Sequence, residues 1–275
     1  MSLLNSVKKL LRIYSLKPKK IFGQSFVVDE VLLERMANYA NLTGKDTVLE
    51  IGAGFGFLTE VLASKVGKVL AVEVDPKLVK ILRKKFSKNS KVKIFHGDFL
   101  KLDFKGYYNK VVSSPPYSII SKIIFKLLEE SFDVAILLLQ KEFALRLLAK
   151  PGEKDYGRLT VMAYVKSEVE VLEEVPSIAF YPKPKVSSIL VKIKPKKEPP
   201  FKVNDWKIFE ETVRLLFTQK NRKLRNALKI FLKHKNFDWL NVDDFKDFPY
   251  LERRVFTLKP EEICEISNLI VNLKT

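Results

Sequence analysis

The chain has 275 residues, 47% of them hydrophobic, with 50 Lys and Arg against 32 Asp and Glu and a formal charge of +18. That apolar content can bury a full core and excludes a disordered chain, and the length suits one large domain with an appendage or two modest domains. The charge points to a polyanionic partner, nucleic acid or an anionic membrane surface, against the plainer alternative of a thermophile-like surface rich in Lys and Glu.

The first 24 residues carry six basic side chains and no acid. Within them MSLLNSVKKLLRIYSL has apolar residues at helical spacing and a basic face, which predicts an amphipathic helix lying on the protein body. It lacks the long apolar core and cleavage site of a secretory signal, and an organelle transit peptide or a membrane-surface contact is the alternative reading. From about residue 46, apolar runs alternate with helical patterns. TVLEIG (47–52), KVLAVEV (68–74), KVKIF (91–95), KVVSS (110–114) and VAILLLQ (134–140) are expected strands. LTEVLASKV (58–66), PKLVKILRKKF (76–86) and SIISKIIFKLLEE (118–130) are expected helices. Such alternation predicts right-handed β-α-β units on a parallel sheet. Two more strands, roughly 159–171 and 186–193, are expected as an antiparallel pair joined by the loop VPSIAFYPKPK.

KPKKEPPF (194–201) then reads as a hinge. Beyond it DWKIFEETVRLLFTQ, RKLRNALKIFLKH and PEEICEISNLIVNL have helical patterns, the last opening with Pro260 near its first turn. The expected organisation is a basic extension over 1–22, an α/β body over 23–195 and a helical domain over 196–275. Residues 183–235 hold 16 basic and 4 acidic side chains, whereas 236–275 hold 5 and 8. A merely thermophilic surface mixes the signs throughout, so an excess held in two blocks favours nucleic acid. Cys264 alone can form neither an internal disulfide nor a metal cluster. A reducing, cytoplasmic location is expected, with no metal and no membrane span.

VLEIGAGFGFLTEVLA is a strand, a glycine-rich turn and a helix, with Gly52, Gly54 and Gly56 spaced G-x-G-x-G. Phe57 stands where the dinucleotide fingerprint has its third glycine. Glu73 ends the next strand, 21 residues beyond Gly52, and Asp98 follows the third. Each acid alone reads as a solvated loop residue. After three consecutive strands, the glycine turn and both acids converge on one crevice. Glu73 can accept from both ribose hydroxyls of a nucleoside and Asp98 from an adenine amino group. No basic residue is set aside for phosphates, so S-adenosylmethionine fits better than a pyrophosphate cofactor.

VVSSPPYSI (111–119) follows the fourth strand, at the same crevice. An isolated S-P-P-Y reads as a rigid strand-exit turn. Behind a cofactor site it reads as a holder for an exocyclic amine. The Ser114 side chain and the Pro115 carbonyl can accept the two N–H groups, and Tyr117 offers a flat face for a base.

These motifs carry a resemblance. Ser114-Pro115-Pro116-Tyr117 is similar to the (D/N/S)-P-P-Y signature of amino-directed methyltransferases. The run from LKPKKIFGQSFVVD through VLEIGAGFGFLTE, AVEVD, HGDFL and VVSSPPYSI to LLLQKEFALRLLAKPGEKDYGRL, AFYPKPKVSS and FTQKNRKLRNAL resembles the ribosomal RNA small-subunit adenine dimethyltransferase family over about 16–230. That family methylates two neighbouring adenines near the 3′ end of small-subunit rRNA. The resemblance implies a Rossmann-like class I methyltransferase sheet with a small C-terminal all-helical domain, S-adenosylmethionine as cofactor, and a monomer coupled to ribosome biogenesis. It also implies that Ser25 and Val27 border the methionine part of the cofactor, with Gln24 and Phe99 counted in the same site. Gly52 and Gly54 would form the turn, Glu73 hold the ribose, and Phe180 face Tyr117 across the target base. Phe180 reads otherwise as core packing. The family usually has Asn where this chain has Ser25 and Ser114.

Lys220, Arg222, Lys223 and Arg225, at the start of a helical pattern, are the expected grip on RNA phosphates. Any one of them alone reads as a solvated helix face. The nearest alternative within the class is a large-subunit rRNA adenine methyltransferase of the antibiotic-resistance type. A non-catalytic nucleic-acid-binding factor on this fold is disfavoured by intact Glu73, Asp98 and S-P-P-Y. A dehydrogenase is disfavoured by Phe57.

Overall fold

The computed structural model describes residues 2–19, 23–233 and 242–274. Lys20, Ile21 and Phe22 of KPKKIFGQSF, and His234 at the end of RKLRNALKIFLKH, lie outside them. By contacts the chain divides into two units, Met1–Ala144 with Glu168–Pro195, and Leu145–Ser167 with Lys196–Thr275.

In the first unit, α1 (Leu3–Ile13) is followed by β1 (Phe26–Val27) and α2 (Glu30–Tyr39), and then by the strand–helix alternation expected from sequence. This comprises β2 (Thr47–Ile51), α3 (Phe57–Lys65), β3 (Lys68–Glu73), α4 (Pro76–Lys85), β4 (Val92–His96), β5 (Lys110–Ser113), α5 (Ile120–Leu127) and β6 (Val134–Gln140). Later in the chain come α6 (Lys141–Leu147), which passes into the second unit, α7 (Arg158–Lys166) within that unit, and then β7 (Ser167–Val175), β8 (Phe180–Tyr181) and β9 (Ser188–Pro195). Seven strands form one sheet in the order β4-β3-β2-β5-β6-β9-β7. β2 to β6 pair in parallel, and β9 runs antiparallel to β6.

The strand order reverses between β2 and β5, and a crevice at such a reversal is where open α/β sheets bind ligands. β6 is buried over six of its seven residues, the continuous apolar run of a strand covered on both faces. Buried Ser113 joins β5 to β2: its hydroxyl donates to the Ile51 carbonyl (2.6 Å) and lies 3.3 Å from the Ile51 N–H. Helix starts follow local chemistry. Asp29 caps α2 by accepting from the Leu32 N–H (3.0 Å), and Asp75 caps α4, which has Pro76 in its first turn.

One sequence expectation is corrected. Residues 158–166 form helix α7, not the start of a strand, and the strand runs over Ser167–Val175. Leu159, Thr160, Val161, Met162, Ala163 and Val165 are all buried, so the segment is apolar all round and carries no period by which helix and strand can be told apart. The Thr160 hydroxyl accepts from the Gly157 N–H (3.2 Å) and starts the helix. The unit boundaries differ too. Residues 145–167 group with the C-terminal helices, whereas α1 lies on the α/β body as its amphipathic pattern predicts, with Val7 and Leu11 buried among Phe55, Leu78 and Ile81.

The second unit adds α8 (Trp206–Thr218), α9 (Leu224–Phe231) and α10 (Pro260–Lys274), packed through residues such as Phe209, Leu216, Leu228 and Ile263. Within it, buried Tyr156 donates to the Leu258 carbonyl (2.8 Å). Residues 220–224 lie along 253–256, with the Val255 N–H donating to the Arg222 carbonyl (3.0 Å) and the Leu224 N–H to the Arg253 carbonyl (2.7 Å). Among the described residues, no helix is long and apolar enough to cross a membrane, and no group of three His, Cys, Asp or Glu could hold a metal ion.

Candidate active site

β2 ends at Ile51 and the chain turns through the glycines into α3. Gly54 (φ 59°) and Gly56 (φ 74°) adopt left-handed conformations that side chains disfavour. A Cβ on Gly56 would lie 2.7 Å from Leu82 and Phe86 side-chain atoms, so glycine also permits the approach of α4. The turn leaves backbone N–H groups pointing at the end of β3. The Gly54 N–H donates to Glu73 Oε2 (2.8 Å), while Val74 and Asp75 N–H groups donate to Oε1 (2.9 Å each). Burial pushes the Glu73 carboxyl above the ordinary range, and these three donors oppose the shift.

Glu73 opens into a cleft that Gly52, Gly54, Asp98, Phe99 and Ser114 also line. Asp98 Oδ1 accepts from the Leu100 N–H (3.0 Å), which sets the turn after β4. The Lys126 ammonium supports that turn from α5. It donates to the Phe99 carbonyl (2.9 Å) and the Leu102 carbonyl, and lies 4.7 Å from the Phe99 ring centroid. Among the described residues lining the cleft there is no Lys, Arg or His. Such a lining can hold a nucleoside; it brings no side-chain cation to a pyrophosphate, and the Gly54 N–H of the turn is given to Glu73.

The remaining wall comes from residues 23–26. Gln24 and Ser25 line the cleft, but both ends of the Gln24 amide are engaged. Its oxygen accepts from the Lys19 N–H (2.8 Å) and its nitrogen donates to Asp75 Oδ2 (3.2 Å). The Lys19 ammonium also reaches Asp75 Oδ2 (2.9 Å), so the wall of residues 23–26, the strap of the cleft, is tied down beside Glu73. Ser25 Oγ donates to the Pro182 carbonyl (2.8 Å), next to the antiparallel pairing of β1 with β8. Val27 lines a smaller adjoining hollow with Ser25, Glu50 and Ser114.

In the S-P-P-Y turn, Ser114 and Pro116 line the cleft and Pro115 is buried. The Tyr117 hydroxyl lies 2.9 Å from Ser188 Oγ on β9, a fully buried serine. Burial pushes the Tyr117 phenol up, against the opposing Ser188 bond, so it stays protonated and is no proton acceptor at neutral pH. Phe180 is 3% exposed and packs in the core cluster with Val27, Val175 and Ala179. The four basic residues singled out for RNA belong to the second unit. Lys223 and Arg225 both pair with Glu252 (2.9 and 2.7 Å), and the Lys220 ammonium donates to the Lys154 carbonyl (2.9 Å).

Sequence reasoning missed Asp75, Glu50, Lys126 and Ser188. Glu50 had a signal, an acid inside an apolar strand. It is 2% exposed, Thr59 donates to its Oε2 (2.6 Å), and burial pushes its carboxyl up to about 8. Asp75 had one as well, an Asp-Pro pair at a helix start. Lys126 and Ser188 had none.

The profile of the family described as "Ribosomal RNA adenine dimethylase" matches residues 15–271. A protein of Methanosarcina acetivorans, named a probable ribosomal RNA small subunit methyltransferase A, is 41% identical over 98% of this chain and 99% of its own. One of the same name from Thermococcus onnurineus is 42% identical over 94% of each chain. Among solved structures, a dimethyladenosine transferase from Plasmodium falciparum is similar, with a TM-score of 0.76, 26% identity and coverage of 90% of this chain and 97% of that one. The 23S rRNA methyltransferase ErmE is similar with a TM-score of 0.63 and 28% identity, over 90% of this chain and 99% of its own.

Proposed function

The chain belongs to the ribosomal RNA adenine dimethylase family, and on that premise we propose that it dimethylates N6 of two adjacent adenines near the 3′ end of small-subunit rRNA during ribosome assembly. It is an S-adenosylmethionine-dependent adenine methyltransferase with a Rossmann-like sheet. The small-subunit substrate is favoured because relatives above 40% identity carry that name, whereas the 23S rRNA enzyme is 28% identical. The observation that carries the reading is the convergence of Ser114 and Pro116 with Gly52, Glu73 and Asp98 on one cleft whose described lining has no cation.

When bound, S-adenosylmethionine supplies a methyl group activated by its sulfonium. In our reading Glu73 accepts from the ribose hydroxyls, Asp98 accepts from the cofactor's adenine amine beside Phe99, and Ser25 and Val27 border the methionine end. Gln24 holds the 23–26 wall of the cleft in place through Lys19 and Asp75. The target N6 is a poor nucleophile because its lone pair is delocalised into the ring. Ser114 Oγ and the Pro115 carbonyl accept its two N–H groups and favour a pyramidal nitrogen with the lone pair free. Tyr117 presents its face to the base and Phe180 backs the opposite side. No titrating base is required, since the proton can leave after transfer. The target adenine must leave its stack to reach the cleft, and Lys220, Arg222, Lys223 and Arg225 contribute to holding the surrounding RNA.

The test is incubation of undermethylated small and large ribosomal subunits with labelled cofactor, followed by mapping of the modified base. Label on N6 of neighbouring adenines in small-subunit RNA is expected; label confined to large-subunit RNA would replace this reading. Ser114→Ala is expected to lower single-turnover methyl transfer with little change in cofactor affinity. A dominant preorganised acceptor is worth on the order of 2–4 kcal/mol, and the loss here is smaller because the Pro115 carbonyl remains. Wild-type rates in both methylation steps would remove the hydroxyl from the mechanism. Ser188→Ala should free the Tyr117 hydroxyl and slow transfer about tenfold or less, since one hydrogen bond is worth about 0.5–1.5 kcal/mol. Titration calorimetry should find cofactor affinity preserved; a parallel loss there would mean Ser188 acts through the fold.

A further inference from the structure

We infer that the outward face of α1 is an RNA-phosphate grip on the α/β unit itself, formed by Lys8, Lys9 and Arg12 beside β8. The inference rests on the reading that the substrate is RNA and adds a contact that the charge cluster at 220–225 does not supply.

The helix has two faces with different uses. Val7 and Leu11 are buried in one cluster with Phe55, Leu78 and Ile81, and Leu3 is buried as well. Its apolar face is therefore spent on the protein core and is not free to enter a lipid interface, which such membrane helices require. On the other face Lys8, Lys9 and Arg12 are exposed and, with Asn5, line a shallow hollow. None of the three cations has a carboxylate partner among the described residues, and the first 24 residues contain no acid. Lys8 and Arg12 stand one helical turn apart, an arrangement of like charges that costs a few tenths of a kcal/mol on a bare helix. The helix dipole favours Arg12 in the last turn but offers nothing to Lys8 and Lys9. A polyanion laid along this face would neutralise all three.

Position supports the same partner. The Lys8 ammonium lies 5.5 Å from the Tyr181 ring centroid, and Tyr181 is the register partner of Phe26 and the neighbour of Phe180. Leu78, which packs in the cluster that buries Val7 and Leu11, also lines the cofactor cleft. The cationic face therefore belongs to the same part of the unit as the strap and the cleft. In the second unit, by contrast, Lys223 and Arg225 already share Glu252. A cation paired with a carboxylate must give up that pair to neutralise a phosphate, and among the described residues Lys8, Lys9 and Arg12 have no carboxylate to give up.

The experiment measures binding of a fluorescein-labelled stem-loop RNA to the full chain by anisotropy across a salt series. Wild type, Lys8→Glu/Lys9→Glu/Arg12→Glu and Arg222→Glu/Arg225→Glu are compared. The α1 variant is expected to bind at least tenfold more weakly at low salt and to flatten log K against log salt by about 2 units, from about 0.7–0.9 per phosphate contact. Its cofactor affinity, measured in parallel, should match wild type and shows that the unit is folded. If the charge reversal unfolds the chain, the Gln triple variant replaces it with the same expectation of a flattened slope. An unchanged slope with intact cofactor binding overturns the proposal, as does an α1-dependent association with phosphatidylserine vesicles that exceeds the effect on RNA. The functional reading fails separately, through absence of label in ribosomal RNA with wild type, because the slope is read without methyl transfer.

Discussion

Glu73→Ala is expected to weaken S-adenosylmethionine binding by roughly ten- to a hundredfold and to lower the melting temperature. A hydrogen bond to a charged group contributes about 1.5–3 kcal/mol, which is that range in affinity. The fall in stability follows from the local geometry. Three backbone N–H groups, of Gly54, Val74 and Asp75, end on this one carboxyl, and truncation leaves all three without it. Glu73→Gln separates the two effects. Its single carbonyl oxygen keeps part of the turn, while the amide nitrogen faces at least one N–H and repels it. Binding should also weaken as pH falls, beginning above the ordinary glutamate range, because burial raises this carboxyl and its neutral form is the poorer acceptor. Calorimetry over an acid pH series measures both; affinity unchanged in Glu73→Ala would remove the residue from the cofactor site.

Glu50→Gln is expected to stabilise the protein increasingly as pH rises. Glu50 is buried beneath the glycine turn, its carboxyl raised to about 8 by that burial and by the nearby Glu73 charge, against the opposing Thr59 bond. The sign follows from proton binding. Between the ordinary glutamate value near 4.3 and about 8 the folded state holds a proton that the unfolded chain has released, so wild-type stability falls across this window. The loss is on the order of 5 kcal/mol. Glutamine keeps an oxygen for the Thr59 hydroxyl and has no charge to bury. The variant's advantage in melting temperature should therefore be small near pH 4.5, grow through neutrality and level off above about 8. An advantage independent of pH would show that Glu50 is ionised in the folded protein.

Much of the cleft's lining was legible before the fold. Gly52, Gly54, Glu73, Asp98 and Ser114 all line one cleft. Each ends or follows a strand of the parallel alternation, and right-handed crossovers bring successive strand ends to the same edge. The less legible residues act across long separations. Ser25 meets Pro182 through 157 positions of chain, and Tyr117 meets Ser188 through 71. Neither serine differs in composition or spacing from a surface serine. The cluster at 220–225 looked like free positive charge because Glu252, which takes Lys223 and Arg225, stands 29 and 27 positions away.

The amino-acid sequence by itself determined the strand–helix alternation, the amphipathic α1, the glycine turn and the acids after β3 and β4, because these depend on periodicity and on neighbours within one turn or one strand. Only the tertiary structure decided that 158–166 is a helix, that Glu50 is buried with a raised carboxyl, and which cations keep no carboxylate partner among the described residues. A residue's burial and charge state depend on which distant side chains the fold brings within a few ångströms, and local sequence does not encode those approaches.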